Sequence, residues 1–128
     1  MSTGEFERAF TAIRAAKTES ILLPPEALTQ ANREAIAEFA HAHALPLAVV
    51  GSSRSLPATV LFAYGPTLLE FARVTANFVD RILKGANPGD LPIERPTRFN
   101  LVINLRVAGA LGLTIPQSML LAADEVIQ

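Results

Sequence analysis

The sequence predicts an α/β fold in which an open, mostly parallel Rossmann-like sheet carries helices on both faces. Short apolar runs of strand length alternate with longer segments whose apolar residues recur every three or four positions. The short runs are apolar throughout, which is typical of strands that both faces of a parallel sheet cover. The resulting order is α-β-α-β-β-α-β-α, and a length of 128 residues fits one domain over 1–128.

The first half of the chain contains two predicted helices and three predicted strands. Phe6, Phe10 and Ile13 recur at helical spacing and form one apolar stripe. Pro24 ends the first apolar run, and Pro46 ends the second helical pattern. The expected elements are a helix over 4–17, a strand over 20–23, a helix over 29–44, and strands over 47–50 and 59–63.

The longest predicted helix covers residues 66–84. A strand is expected to end in a turn at Tyr64 and Gly65, and Pro66 opens the helix because proline is favoured at the first helical position. Gly85 ends it. The helix has one broad apolar face, whose width indicates burial against a sheet or a partner. That face consists of Leu68, Leu69, Phe71, Ala72, Thr75, Phe78, Val79, Ile82 and Leu83.

The last part of the chain begins with a proline-rich crossing segment, residues 86–98, which leads to a strand over 99–103. Asn104 is a candidate N-cap for a short helix that ends at Gly112. A final helix is expected over 116–123, and the acidic residues after it are interpreted as surface charges in the tail.

Composition excludes several classes of function. The chain has no cysteine, which excludes disulfides, thiol catalysis and zinc–thiolate sites. Its net charge is −1 and its basic residues are scattered, so a nucleic-acid partner is not expected. No segment has the pattern of a signal peptide or the length of apolar sequence that spans a membrane.

No catalytic, metal or cofactor site is predicted. His41 and His43 are two positions apart on a predicted helix, so their side chains diverge by about 200° and cannot chelate one metal. No GxSxG elbow, GxGxxG loop or P-loop is present. The sequence therefore favours a protein that is not an enzyme and that needs no cofactor.

Candidate ligand-binding residues follow the predicted strands, because α/β proteins bind ligands at the carboxyl ends of parallel strands. The serines would hydrogen-bond a ligand, and the single tyrosine would stack on it or use its hydroxyl. The alternatives are a solvated serine loop, an exposed charge at a helix N-terminus for the glutamate, and a plain turn around the tyrosine. The predicted site consists of Pro25, Glu26, Gly51, Ser52, Ser53, Tyr64 and Gly65.

Six ordered motifs in the second half of the chain resemble one known family, the ABC transporter substrate-binding proteins related to the tryptophan and aromatic amino-acid binders. The resemblance covers the C-terminal portion of such proteins, and residues 5–61 resemble the preceding part more weakly. The motifs are Tyr64-Gly65-Pro66, Ile82-Leu83-Lys84-Gly85, Asp90-Leu91-Pro92, Pro96-Thr97-Arg98-Phe99, the strand Leu101–Leu105, and Leu111–Pro116 with the acidic tail after it.

The resemblance implies the fold of a type I periplasmic binding protein, whose two lobes close on a small ligand such as an amino acid. It implies a solute-binding component, or a truncated remnant of one, that delivers its ligand to an ABC permease without chemistry. The location would be the periplasm or cell envelope for part of an exported protein, and the cytoplasm for a chain that is natural as written.

The resemblance also implies a homodimer. Residues after Tyr64 would pack partly on a lobe that this chain lacks, so the 66–84 helix would expose its apolar face unless a second copy covered it. The alternative is a stand-alone cytosolic dimeric α/β module with a structural or regulatory role.

Overall fold

A computed structural model describes residues 3–52 and 57–128. It contains helices and strands in nearly the predicted order, with a short 3₁₀ turn at Pro88–Asp90. The elements are α1 (Thr3–Ala15), β1 (Ile21–Leu23), α2 (Ala27–Ala31), α3 (Arg33–Ala42), β2 (Leu47–Ser52), β3 (Phe62–Thr67), α4 (Leu68–Leu83), β4 (Asn100–Asn104), α5 (Leu105–Ala110), α6 (Gln117–Ala122) and β5 (Glu125–Ile127).

The five strands form one sheet in the order β1-β2-β3-β4-β5. The first three strands run parallel, β4 runs antiparallel to β3, and β5 runs parallel to β4. Each strand pairs with the next one in sequence, and helices form the crossovers between β1 and β2 and between β4 and β5. The predicted open, mostly parallel α/β sheet is confirmed.

The main core lies between one face of the sheet and helices α1 and α3. Leu23 and Leu47 of the sheet pack against Ile36 and other apolar residues of α3. Helix α1 extends this core through Phe10, whose ring stacks on that of Phe39 at 4.1 Å. Phe10 lies on the apolar stripe that the sequence pattern had indicated.

The helix predicted over 29–44 is divided at Asn32. That residue has φ −117° and ψ 14°, outside the helical region, and its Nδ2 donates to the Leu28 carbonyl at 2.8 Å. Asparagine side chains offer the backbone a local alternative to the helical hydrogen bond. The division places the end of α2 and the start of α3 side by side near the sheet.

The third strand starts and ends later than predicted. Residues 59–61 precede the strand, whereas Tyr64, Gly65 and Pro66 lie inside it, so the predicted Tyr-Gly turn and the helix start at Pro66 are wrong. Thr67 is the N-cap instead, and its Oγ1 accepts a hydrogen bond from the Glu70 backbone at 3.2 Å. Proline is tolerated there because the ladder between β2 and β3 is irregular at that point, so no donor is needed.

Helix α4 ends where the sequence predicts. Gly85 has φ +96°, and its N–H donates to the Ile82 carbonyl at 3.0 Å while the Ala86 N–H donates to Arg81 at 3.0 Å. This pair of bonds is a Schellman motif, which satisfies carbonyl groups at the end of a helix.

The C-terminal tail contains a strand that the sequence pattern did not indicate. β5 has only three residues, which is too short for a periodicity to be visible. Asp124, interpreted as a surface charge, pairs with the backbone of β4. Its N–H donates to the Leu101 carbonyl at 2.9 Å, and its carboxylate accepts from the Leu101 N–H at 2.8 Å.

Helix α4 is uncovered within this chain. None of its residues is buried, and Leu68, Leu69 and Leu83 expose 81%, 67% and 81% of their surface. The broad apolar face therefore does not pack against this sheet, and burial against a partner stays a prediction. Within the described part of the chain, no helix is both long and apolar enough to cross a bilayer.

Candidate functional site

A cavity of 270 Å³ lies at the carboxyl ends of β1, β2 and β3. Because these strands are parallel, their ends meet at one edge of the sheet, where α/β folds bind ligands. The segment before β3, the junction of α2 and α3, and the first turn of α4 complete the walls. The lining residues are Leu23, Pro25, Gln30, Arg33, Leu47, Val49, Val50, Gly51, Pro57, Val60, Pro66, Leu68 and Phe71.

Two glycines shape the edge of the sheet at this cavity. The regular pairing of β2 with β3 is interrupted between Val50 and Ser52, and Gly51 lies in the interruption with φ +110°. Gly65 of β3 packs directly against it, since a Cβ on Gly65 would lie 2.6 Å from the Cα of Gly51. The two backbones can approach this closely only because Gly65 carries no side chain, whereas Gly51 has open space around it and is favoured by its positive φ.

The walls of the cavity are mostly apolar. Leu23 and Val49 form its floor from the sheet, and Phe71 of α4 forms part of the opposite wall. Phe71 remains 50% exposed, so one side of the cavity is open to solvent. An apolar lining with few polar groups is the usual composition of a small-molecule pocket.

Two polar side chains stand in this lining, Gln30 in α2 and Arg33 at the start of α3. The helix break at Asn32 brings both to the cavity. Arg33 is half-buried and has no ion-pair or hydrogen-bond partner for its side chain among residues 3–52 and 57–128. A guanidinium in such a position can bind the carboxylate of a ligand through two parallel hydrogen bonds.

Part of the predicted site lies at this cavity. Pro25 and Gly51 line it directly. Gly65 is buried behind Gly51 and supports its position. Ser52 is the last residue of β2, and Ser53 lies outside the described residues.

Glu26 and Tyr64 lie apart from the cavity lining. Glu26 is the exposed N-cap residue of α2, where its backbone N–H donates to Thr29 Oγ1 at 3.3 Å. Tyr64 follows the core residue Ala63, so the alternation of a strand places it on the other face of the sheet. Its ring is 53% exposed and stacks on Phe99 at 5.7 Å.

The sequence-based prediction missed Arg33 and Gln30. A signal for Arg33 was present, because Ile36 and Ala37 follow it at three and four residues and therefore share its helical face. Both of these residues are buried. The sequence pattern predicted one continuous helix over 29–44, without the break at Asn32.

No group of three His, Cys, Asp or Glu residues that could hold a metal ion occurs in the described ranges, 3–52 and 57–128. The described lining of the cavity offers apolar side chains, one cation and one amide.

Residues 2–127 match the family described as ABC transporter substrate binding protein. The match extends over nearly the whole chain. The chain belongs to the ABC transporter substrate-binding protein family. None of the curated proteins compared with the chain matches it significantly.

Solved structures of similar domains agree with this membership. A conserved domain protein from Vibrio cholerae O1 biovar El Tor is 26% identical with a TM-score of 0.81, over 96% of this chain and 41% of that protein. The ABC domain in complex with L-Trp from Streptococcus pneumoniae is 25% identical with a TM-score of 0.82, over 98% and 42%. This substrate-binding family member therefore spans about two fifths of the length of these relatives.

A third structure shares the fold alone. It is the ligand-free, open form of a substrate-binding protein with adhesive properties from Clostridium difficile, 17% identical with a TM-score of 0.62. The alignment covers 100% of this chain and 42% of that protein.

Proposed function

We propose that the chain binds a small, largely apolar organic molecule in the cavity at the carboxyl ends of β1–β3, as the solute-binding part of an ABC uptake system. The observation that carries this proposal is the cavity itself, 270 Å³ in volume and lined mainly by apolar side chains. Pockets that bind small molecules have volumes of about 300–1,000 Å³, so this one suits a ligand at the small end of that range.

Family membership and the relative bound to L-Trp support the choice of ligand size. That relative is similar over 98% of this chain, so its complex with an amino acid makes an indole-sized ligand a reasonable occupant here. The role would be binding without chemistry, and Pro25 and Gly51 would contribute to the binding wall. The serines after β2 stay candidates for ligand contacts on the strength of their position alone.

The domain organisation, the transport role and the location of the chain belong to the same proposal. The chain would form one folded unit over 1–128, equivalent to a lobe of a two-lobed, type I binding protein, and residues 86–98 would be the crossing between lobes. Its ligand would pass to an ABC permease, and its place would be the periplasm or the extracellular side of the membrane. Family membership over residues 2–127 supports the solute-binding role and the location.

We further propose that a second copy covers the apolar face of α4. The support is the exposure of large apolar side chains along this helix, which single folded chains rarely leave open to water. A closed twofold dimer would cover the same face in both copies.

The binding proposal is tested by measuring the unfolding temperature with a panel of small apolar acids, amines and amino acids that includes L-Trp. A ligand that binds only the folded chain raises this temperature in proportion to its occupancy. We expect a rise with at least one compound, and a smaller rise for Phe71→Ala because that variant removes part of the cavity wall.

Phe99→Ala is the matched control. Phe99 is 48% exposed, close to the 50% of Phe71, but it does not line the cavity. The proposed function would be contradicted if Phe71→Ala and Phe99→Ala reduced the ligand-induced rise in unfolding temperature equally. It would also be contradicted if no compound raised the unfolding temperature of the unmodified chain.

A further inference from the structure

The charges around the cavity point to the chemical class of its ligand. Among the lining residues within 3–52 and 57–128, Arg33 is the one charged residue and none carries a carboxylate. The only formal charge that the described lining offers to a bound molecule is therefore positive.

The nearest acidic residues in sequence do not alter this balance. Glu26 is exposed at the start of α2 and is absent from the lining. Glu70 lies in the first turn of α4, where its Oε1 accepts a hydrogen bond from Arg73 at 3.3 Å. Glu34 and Glu38 line a separate hollow on the outer side of α2 and α3, which Gln30 and Arg33 also border, but neither glutamate forms an ion pair with Arg33 and neither lines the cavity.

An amino acid would be a poor match for such a cavity. Its carboxylate can pair with Arg33, but its ammonium group would leave water without a carboxylate to receive it. A buried charged donor without a partner costs more free energy than the same group in water. A molecule with the same apolar body and a single carboxylate avoids this loss and keeps the pairing with the guanidinium.

We infer that the cavity selects an apolar monocarboxylate over a zwitterionic amino acid, with Arg33 as the residue that binds the carboxylate. This inference rests on the proposed function and narrows it to a class of ligand. Gln30, beside Arg33 in the lining, supplies an amide that can donate to the same carboxylate.

Four indole compounds test the inference, because they share one ring and differ in charge. Indole-3-propionate carries a carboxylate, L-tryptophan carries both charges, tryptamine carries an ammonium group, and 3-methylindole is neutral. The chain contains no tryptophan, so indole fluorescence reports the ligand without interference from that residue type. We expect indole-3-propionate to have a Kd about 10- to 100-fold below those of the other three.

Arg33 is tested in the same assay. Arg33→Gln keeps a long helix-forming side chain but removes the charge, so the preference for indole-3-propionate over 3-methylindole should disappear. Arg33→Lys should restore part of it, because an ammonium group keeps the charge without the planar pairing. Arg14→Gln makes the same charge change on the exposed surface of α1, away from the cavity, and should leave all four constants unchanged.

The possible results separate the inference from the proposed function. Tryptophan binding as tightly as indole-3-propionate would overturn the selection against zwitterions but retain small-molecule binding. If 3-methylindole binds as tightly as indole-3-propionate, or if Arg33→Gln keeps the preference for indole-3-propionate, the role of Arg33 is wrong. Small-molecule binding would be retained in either case. If none of the four binds up to millimolar concentration, the inference is wrong, and the wider ligand panel then decides the proposed function.

Discussion

Gly65 and Gly51 face each other across β2 and β3 at the edge of the cavity, with no room for a side chain between them. A methyl group on Gly65 would lie 2.6 Å from the backbone of Gly51, so one of the two strands must move. We expect Gly65→Ala to lower the free energy of unfolding by about 1–3 kcal/mol, the usual cost of overfilling a packed site. Urea denaturation measures this change.

Gly109→Ala is the control for this substitution. Gly109 lies in α5, and an added Cβ there would meet no atom within 4 Å. Alanine in a helix stabilises it relative to glycine by about 0.5–1 kcal/mol, so this variant should be slightly more stable. A Gly65→Ala variant as stable as the unmodified chain would show that the two strands adjust without cost.

At the residue scale, the sequence predicted only those cavity residues whose position follows from the direction of the strands. Pro25 and Gly51 were predicted because they follow parallel strands, and the structure places both in the lining. Phe71 and Arg33 come from helices, and their position depends on how each helix packs. A one-dimensional pattern does not contain that information, although the face shared by Arg33 and Ile36 was visible.

At the element scale, the end of β4 is tied to α5 and to the segment before β3 by Asn104. This side chain is buried, its oxygen accepts from the Arg106 and Val107 N–H groups at 3.1 and 3.3 Å, and its amide donates to Ala58 at 3.1 Å. Asn104→Ala removes the helix cap and the hydrogen bond to the Ala58 carbonyl. We expect a loss of about 1–3 kcal/mol in the free energy of unfolding.

Two further variants identify the source of this loss. Asn104→Asp keeps the acceptor for the helix cap but removes the donor to Ala58. It should therefore lower the free energy of unfolding by less than Asn104→Ala does. Asn87→Ala removes one exposed hydrogen bond to the Gly89 N–H and should change stability by less than about 0.5 kcal/mol. If Asn104→Ala and Asn87→Ala are equally stable in urea denaturation, the hydrogen bonds of Asn104 do not stabilise the fold as proposed.

The elements that the sequence predicted best are those with long periodic patterns or strong local signals. Helix α4 and its stop at Gly85, and the cap at Asn104, each follow from side chains close in sequence. Strand β3 was misplaced because the helix starts at Leu68 after its N-cap Thr67, whereas Pro66 stays in the strand where the pairing with β2 is irregular. Strand β5 was missed because it exists only through its pairing with β4.

At the scale of the whole molecule, the proposed homodimer depends on the uncovered face of α4. Complete burial of a leucine side chain contributes about 1.5–3 kcal/mol, so covering Leu68, Leu69 and Leu83 in both copies would contribute about 9–18 kcal/mol. Association costs about 4–15 kcal/mol in lost freedom of motion. These magnitudes are comparable, so the proposed homodimer should dissociate on dilution within a measurable range.

Light scattering across a dilution series tests this expectation. The unmodified chain should approach twice the 13.7 kDa chain mass at high concentration and fall towards the chain mass on dilution. Val79→Glu places a carboxylate on the apolar face and should raise the midpoint, which is the concentration at which half of the chains are dimeric. Asn77→Glu adds the same charge about 200° around the helix, on its polar side, and should leave the midpoint unchanged.

A chain that keeps the monomer mass at every concentration would contradict the proposal of a second copy on α4, and so would equal effects of the two glutamate variants.

The same experiment shows whether the dimer contact includes the cavity, because Leu68 and Phe71 belong both to the cavity wall and to the exposed α4 face. If the second copy also closes the cavity, a bound indole carboxylate should lower the concentration at which dimers form, by the reciprocity of linked equilibria. An unchanged midpoint with ligand would place the dimer contact nearer the Leu83 end of the helix, away from the cavity.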